Sequence, residues 1–212
     1  MQPSDSITNE LVRLLSGRRL WAALLVTTLI PSLNGCIPIL IGGAAMGAAA
    51  IHDRRSYTAM IDDQRIDLTA TNALASEPGL KGQGRITVTS YNYQVLLTGQ
   101  VRNEADVALA GKVVSHLPKV QKVINEVTVG PDLSLSRQSE DTLLTTKVKL
   151  ELFKVKVPGF DPTRVKVVTE DGVVYLMGLV TVAEGDGAAE VVRFVPGVAR
   201  VVKVFEYQEP KT

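Results

Sequence analysis

Two stretches of this chain carry the same strand-like pattern and close on the same glycine. Gln94-Val95-Leu96-Leu97-Thr98-Gly99-Gln100-Val101 recurs as Val173-Val174-Tyr175-Leu176-Met177-Gly178-Leu179-Val180. Both end in Gly-x-Val, which predicts a strand whose glycine, Gly99 or Gly178, lets another backbone or element approach closely. Another alternating run precedes each, Arg85 to Thr89 and Arg164 to Thr169. The connections Tyr91-Asn92 and Glu170-Asp171-Gly172 hold turn residues, so each pair of runs predicts a β-hairpin. Helical patterns follow over Asn103 to His116 and Ala183 to Phe194. Leu117-Pro118-Lys119-Val120 and Val195-Pro196-Gly197-Val198 then introduce last strands, Val123 to Val129 and Ala199 to Tyr207. Ahead of each hairpin an amphipathic helix places Ile66, Ala70 and Leu74, or Leu144, Val148 and Leu152, on one stripe.

The unit is therefore α-β-β-α-β, present twice. The expected fold class is α/β (an α+β sandwich): two tandem domains, each a three-stranded sheet with two helices on one face. The expected divisions are 1–35 as a leader, 36–60 as a Gly/Ala-rich tether, 61–130 and 140–208 as the two domains, and 131–139 as a linker coupling them loosely. Asn103 is an N-cap with Glu104 and Asp106 behind it. The second copy is expected to lack such a cap, with Gly185 and Gly187 weakening its helix. Asp62-Asp63 is read as a helix start, and Glu170-Asp171 as a turn.

The N-terminal segment changes the picture. Arg13, Arg18 and Arg19 precede a short apolar run, Leu20 to Ile30, and then Leu33-Asn34-Gly35-Cys36, which holds the single cysteine of the chain. That order fits a bacterial lipoprotein leader, cut after Gly35, with diacylglycerol and an N-acyl chain on Cys36. A membrane span is the main rival, but spanning takes about 20 apolar residues. Pro31, Asn34 and Pro38 interrupt the longer stretch toward Ile51. An ordinary secretory signal is the third reading.

Composition narrows the function classes. A net charge of +1 gives no electrostatic footprint for nucleic acid. One cysteine excludes an intramolecular disulfide, so packed cores must hold the fold. His52 and His116 have no evident nucleophile partner, and the sequence holds no metal-ligand spacing or phosphate loop. The expectation is a non-enzymatic protein without cofactor or metal.

The lipobox, the Gly/Ala stretch and the paired units carry a family resemblance. Its sharpest blocks are Val95 to Gln100, Asp141-Thr142-Leu143-Leu144-Thr145-Thr146-Lys147-Val148, and Leu176 to Thr181. The chain resembles the dual-BON outer-membrane lipoproteins. The resemblance implies outer-membrane anchoring with domains facing the periplasm. It also implies anionic phospholipid bound through the second domain and a role in envelope integrity, including at division sites. Ile37 rather than Asp after the cysteine agrees with the outer membrane. The chain departs from the family at Lys119, where the second copy has Gly197, so the first domain's last turn is expected to differ. It departs again at Leu143, where the family places a lipid-contacting tryptophan.

The residues point the same way. With Leu144, Val148 and Leu152 facing the sheet, Leu143, Leu150 and Phe153 fall on the opposite side at about 100° per residue. Thr146 lies between them, with Lys147 and Lys154 along one edge. Apolar groups rimmed by lysines suit an interface with anionic headgroups. In the first domain the outward positions Arg65, Leu68, Asn72 and Ala75 are mostly polar. Exposed apolar faces also serve protein contacts. The alternative is thus an envelope scaffold whose helix face binds an assembly protein or a second protomer.

Overall fold

The computed structural model describes residues 53–209, all within one compact unit. Cys36, the leader, most of the tether and His52 lie outside them. Helix α1 (Tyr57–Ser76) leads into the hairpin β1 (Gly84–Tyr91) and β2 (Gln94–Val101), then α2 (Glu104–Ser115) and β3 (Lys122–Val129). The second copy runs α3 (Leu135–Leu152), β4 (Lys166–Glu170), β5 (Val173–Val180), α4 (Val182–Val192) and β6 (Arg200–Tyr207). In each sheet the middle strand pairs antiparallel with its hairpin partner and parallel with the last strand. The hairpins turn on Asn92-Tyr93 and Asp171-Gly172, all four at positive φ, one residue later in the first copy than the pattern suggested. Pro162–Arg164 forms a short 3-10 turn, which delays β4 to Lys166.

One face of each sheet carries the helices. Ile66, Ala70, Leu74, Ala110 and Val114 pack on Val95, Leu97 and Val101. Leu144, Val148, Leu152, Ala188 and Val192 pack on Val174, Leu176 and Val180. Fully burying each such side chain contributes about 1.5–3 kcal/mol, so these stripes account for the helix positions.

The glycines behave as expected. A Cβ on Gly99, at φ 123°, would lie 2.0 Å from the Arg85 carbonyl oxygen. One on Gly178 would lie 2.8 Å from the Arg164 carbonyl oxygen. Gly197 holds φ 104° in the turn before β6.

Several expectations need correction. The domains are not loosely coupled. Tyr91 and Leu96 of the first sheet form one buried cluster with Tyr175, Met177 and Val204 of the second, so the sheets pack against each other through their helix-free faces. Helix α3 starts at Leu135, well inside the supposed linker, because the Ser134 hydroxyl accepts from Arg137 N–H at 3.2 Å. Helix α1 starts at Tyr57, within the supposed tether. The second copy does have a cap: Thr181 and Glu184 form a reciprocal capping box at α4. Gly185 and Gly187 sit where a Cβ would meet the Phe205 ring at 3.0 Å and Val157 at 2.7 Å, so close packing explains them. The turn at Lys119 is kept as well. Lys119 takes φ 69°, and its ammonium donates to Asp62 at 2.7 Å.

Asp62 and Asp63 are buried in the second turn of α1 rather than opening it. Asp63 accepts from the turn amides of Asn92 and Tyr93 at 2.7 and 2.8 Å and from the Ser90 hydroxyl at 2.8 Å. Asp141 repeats the arrangement on Asp171 and Gly172 at 2.8 and 2.9 Å. Each first helix thus holds its own hairpin turn.

Candidate functional site

Helix α3 presents two different faces. Asp141, Leu144, Val148 and Leu152 are buried against the second domain. On the other side Leu143, Leu150 and Phe153 are 63 %, 64 % and 69 % exposed. The structure therefore brings the three apolar residues together on one solvent-facing strip. Phe153 is the C-cap residue, and Lys154 lies just beyond the helix rather than on it.

The polar rim is uneven. Lys154 donates to Glu151 at 2.6 Å, which offsets its charge. Lys147 makes no ion pair among the described residues, so its ammonium stays open to an anion. Thr146 spends its hydroxyl on the Thr142 carbonyl at 3.2 Å. Lys149 and Lys156, both exposed, add positive charge to the same end of the helix.

Beside Leu143 lies a shallow pocket of about 220 Å³, lined by Arg137, Glu140, Leu143, Lys147, Pro196 and Gly197. Gly197 belongs to the rim as well as to the turn. Arg137 donates to Asp171 at 2.8 Å and to Glu140 at 3.0 Å, and these bonds raise its pKa. Its charge is thus largely answered within the protein. Lys147 is the free cation of this pocket among the described residues.

Phe194 was not singled out by the sequence reading. It is 68 % exposed, with the Arg193 guanidinium 4.5 Å from its ring centroid, and it leads into the turn that supplies Pro196 and Gly197. A signal existed: Phe194 falls off the stripe of Ala188 and Val192 that faces the core. The corresponding face of α1 carries one exposed leucine, Leu68, among exposed Arg65, Asn72 and Ala75.

His116 ends α2, its Nδ1 2.7 Å from the Lys112 carbonyl oxygen. Among the described residues no three metal-ligating side chains cluster, and no helix is long and apolar enough to cross a membrane.

Comparison with known proteins follows the repeat. The BON domain model matches residues 62–131 and again 140–209. Outer membrane lipoprotein DolP of Haemophilus influenzae is 38 % identical over 178 residues, covering 82 % of this chain and 90 % of that protein. The 21 kDa hemolysin of Actinobacillus pleuropneumoniae is 35 % identical over 158 residues, covering 73 % and 79 %. Among solved structures, the C-terminal domain of CdsD, a structural protein of the type III secretion system of Chlamydia trachomatis, overlays with a TM-score of 0.26 at 16 % identity. That overlay covers 69 % of this chain and 67 % of the other, and is too weak to carry an argument.

Proposed function

The chain belongs to the BON domain family, with two such domains, and from that membership we propose that it is an outer-membrane lipoprotein supporting the cell envelope. Acyl chains on Cys36 hold it at the membrane, its domains face the periplasm, and the second domain binds anionic phospholipid. No cofactor or catalytic step is involved.

One observation carries the lipid reading. Leu143, Leu150 and Phe153 form an exposed apolar strip on a helix whose other face already fills the core. Burying such side chains is worth about 1.5–3 kcal/mol each at full burial, and interfacial insertion realises only part of that. A lysine near an anionic surface adds about 1 kcal/mol. The sum gives weak, reversible contact, which suits a module already tethered by acyl chains. The lipid keeps the domain near the surface, and α3 selects among headgroups. Leu143 in place of an aromatic makes insertion shallower, and exposed Phe194 supplies a ring at the neighbouring turn.

The test uses residues 51–212, without acyl chains, in flotation with phosphatidylglycerol-containing and pure phosphatidylcholine vesicles at low and high salt. Flotation only with the anionic vesicles, reduced by salt and abolished in Leu143→Asp and Phe153→Asp with melting unchanged, supports the reading. No flotation in any condition refutes it and assigns the strip to a protein partner or a second protomer.

A further inference from the structure

The tether meets the fold at two neighbouring arginines. Arg54 and Arg55 are adjacent in the chain yet hold different domains. The Arg54 guanidinium donates to both carboxylate oxygens of Glu184, at 2.5 and 2.9 Å, and to the Leu179 carbonyl at 3.2 Å. With its amide turned, Gln208 accepts from the same guanidinium at 2.8 and 3.1 Å. Arg54 thereby joins the end of β5, the start of α4 and the residue after β6, all in the second domain.

Arg55 turns to the first domain. It donates to Asp63 at 2.8 Å, and its guanidinium carbon lies 3.9 Å from the centre of the Tyr91 ring. Asp53 braces it from the other side, accepting at 2.8 and 3.2 Å. Tyr91 itself sits in the sheet-to-sheet seam, and its hydroxyl donates to the Arg164 carbonyl of the second domain at 3.2 Å.

Neither arginine occupies a solvated position. Their side chains are 17 % and 14 % exposed, and those of Glu184 and Asp63 are 3 % and 4 % exposed. A bidentate guanidinium–carboxylate pair is directional, and stripping Arg54 leaves the buried Glu184 carboxylate, among the described residues, with only the Thr181 amide at 2.7 Å and the Arg164 guanidinium at 4.0 Å. Burial pushes the Glu184 carboxyl up, but the Arg54 hydrogen bond, the Thr181 amide and the guanidinium charge outweigh it and hold its pKa below the usual value.

We propose that Arg54 and Arg55 form a latch that makes the end of the tether a second, non-covalent crossing of the interdomain seam. The first crossing is the short run between β3 and α3. The latch adds to the buried sheet-to-sheet cluster and to the Arg85–Glu170 and Asn92–Glu206 contacts in holding the two domains in one arrangement, and the tether leaves the body at the seam itself. On the proposed anchoring at Cys36, any pull from the membrane enters the protein at the latch rather than at either domain alone. The latch stands on its own geometry and does not depend on whether α3 binds lipid.

The experiment uses the mature-length chain, residues 36–212, with Cys36→Ser so that only introduced thiols are labelled. Spin labels at Asn72→Cys in α1 and Glu190→Cys in α4, both exposed, report the separation of the domains by pulsed electron resonance. The parent gives one narrow distance distribution. Arg54→Ala, Arg55→Ala and the near-isosteric Glu184→Gln each broaden it and add longer distances, while the helical circular dichroism is retained. Should Arg54→Ala aggregate, Arg54→Lys keeps the charge without the fork and gives a partial broadening. An unchanged distribution in Glu184→Gln and in soluble arginine variants, even with a lowered melting temperature, overturns the latch. The arginines would then only stabilise the α4 cap and the first hairpin turn.

Discussion

Replacing Asp141 with alanine tests whether the first helix of each domain holds its hairpin turn. Asp141 is 6 % exposed, and its two carboxylate oxygens accept from the Asp171 and Gly172 amides at 2.8 and 2.9 Å. A hydrogen bond to a charged group contributes about 1.5–3 kcal/mol. The two are not additive, and the exposed Asp171 amide recovers some hydration once the carboxylate is gone. Alanine also gains up to about 0.7 kcal/mol of helix propensity over aspartate. The expected net loss is about 2–4 kcal/mol. For a chain of this size about 1 kcal/mol moves Tm by about 2–4 °C, so Asp141→Ala lowers it by roughly 4–16 °C. Asp141→Asn keeps one acceptor and loses about half as much. Asp63→Ala costs more, because Asn92, Tyr93, Ser90 and Arg55 all lose a partner at once. Thermal and urea unfolding at pH 7 read all three. A Tm for Asp141→Ala within about 1 °C of the parent, or equal losses for alanine and asparagine, refutes the turn-holding argument.

Gly99→Ala is expected to destabilise the first domain by about 3 kcal/mol or more, since its Cβ would lie 2.0 Å from the Arg85 carbonyl oxygen at a φ of 123°; urea titration measures it. Lys119→Gly is expected to stay within about 1 kcal/mol of the parent, because relief of the left-handed residue offsets a partly exposed ion pair to Asp62. An unfolding midpoint unchanged within error supports that balance, and a large loss would place the weight on the ion pair. Glu184 titrates below its ordinary 4.5 in the folded state, so its contribution is whole above that pH and is lost as pH falls through the folded value. Stability measured from pH 7 down to 3 should fall at the acid end, and Glu184→Gln should flatten that part of the curve. Lys147→Glu is expected to abolish the anionic selectivity of vesicle flotation without changing Tm, since Lys147 is exposed and makes no ion pair among the described residues. Persistent selectivity would move the headgroup contact to another cation.

Much of this protein is legible in its sequence because its cues are local. The strands Gln94–Val101 and Val173–Val180 and the core stripes of α1 and α3 follow from periodicity. The exposed strip of Leu143, Leu150 and Phe153 follows from the same periodicity, since a helix packed on one side must show its other side. A local cue of the same kind is the Thr181-x-x-Glu184 capping box, offset in the sequence pattern by the two helix-weakening glycines that follow it.

The tertiary structure alone decided the rest. Nothing in the order of residues says that the second faces of the two sheets meet, because Leu96, Tyr175 and Met177 look the same whether they cover a helix, a partner or another sheet. Nor does it say that Asp63 and Asp141 are turn anchors, since each reaches across about thirty residues to amides that carry no side-chain signature. Arg54 and Arg55 carry no sign of a partner in the sequence. Only folding brings Glu184 and Asp63 within hydrogen-bond reach of them, and contacts that distant are fixed by packing, not by pattern.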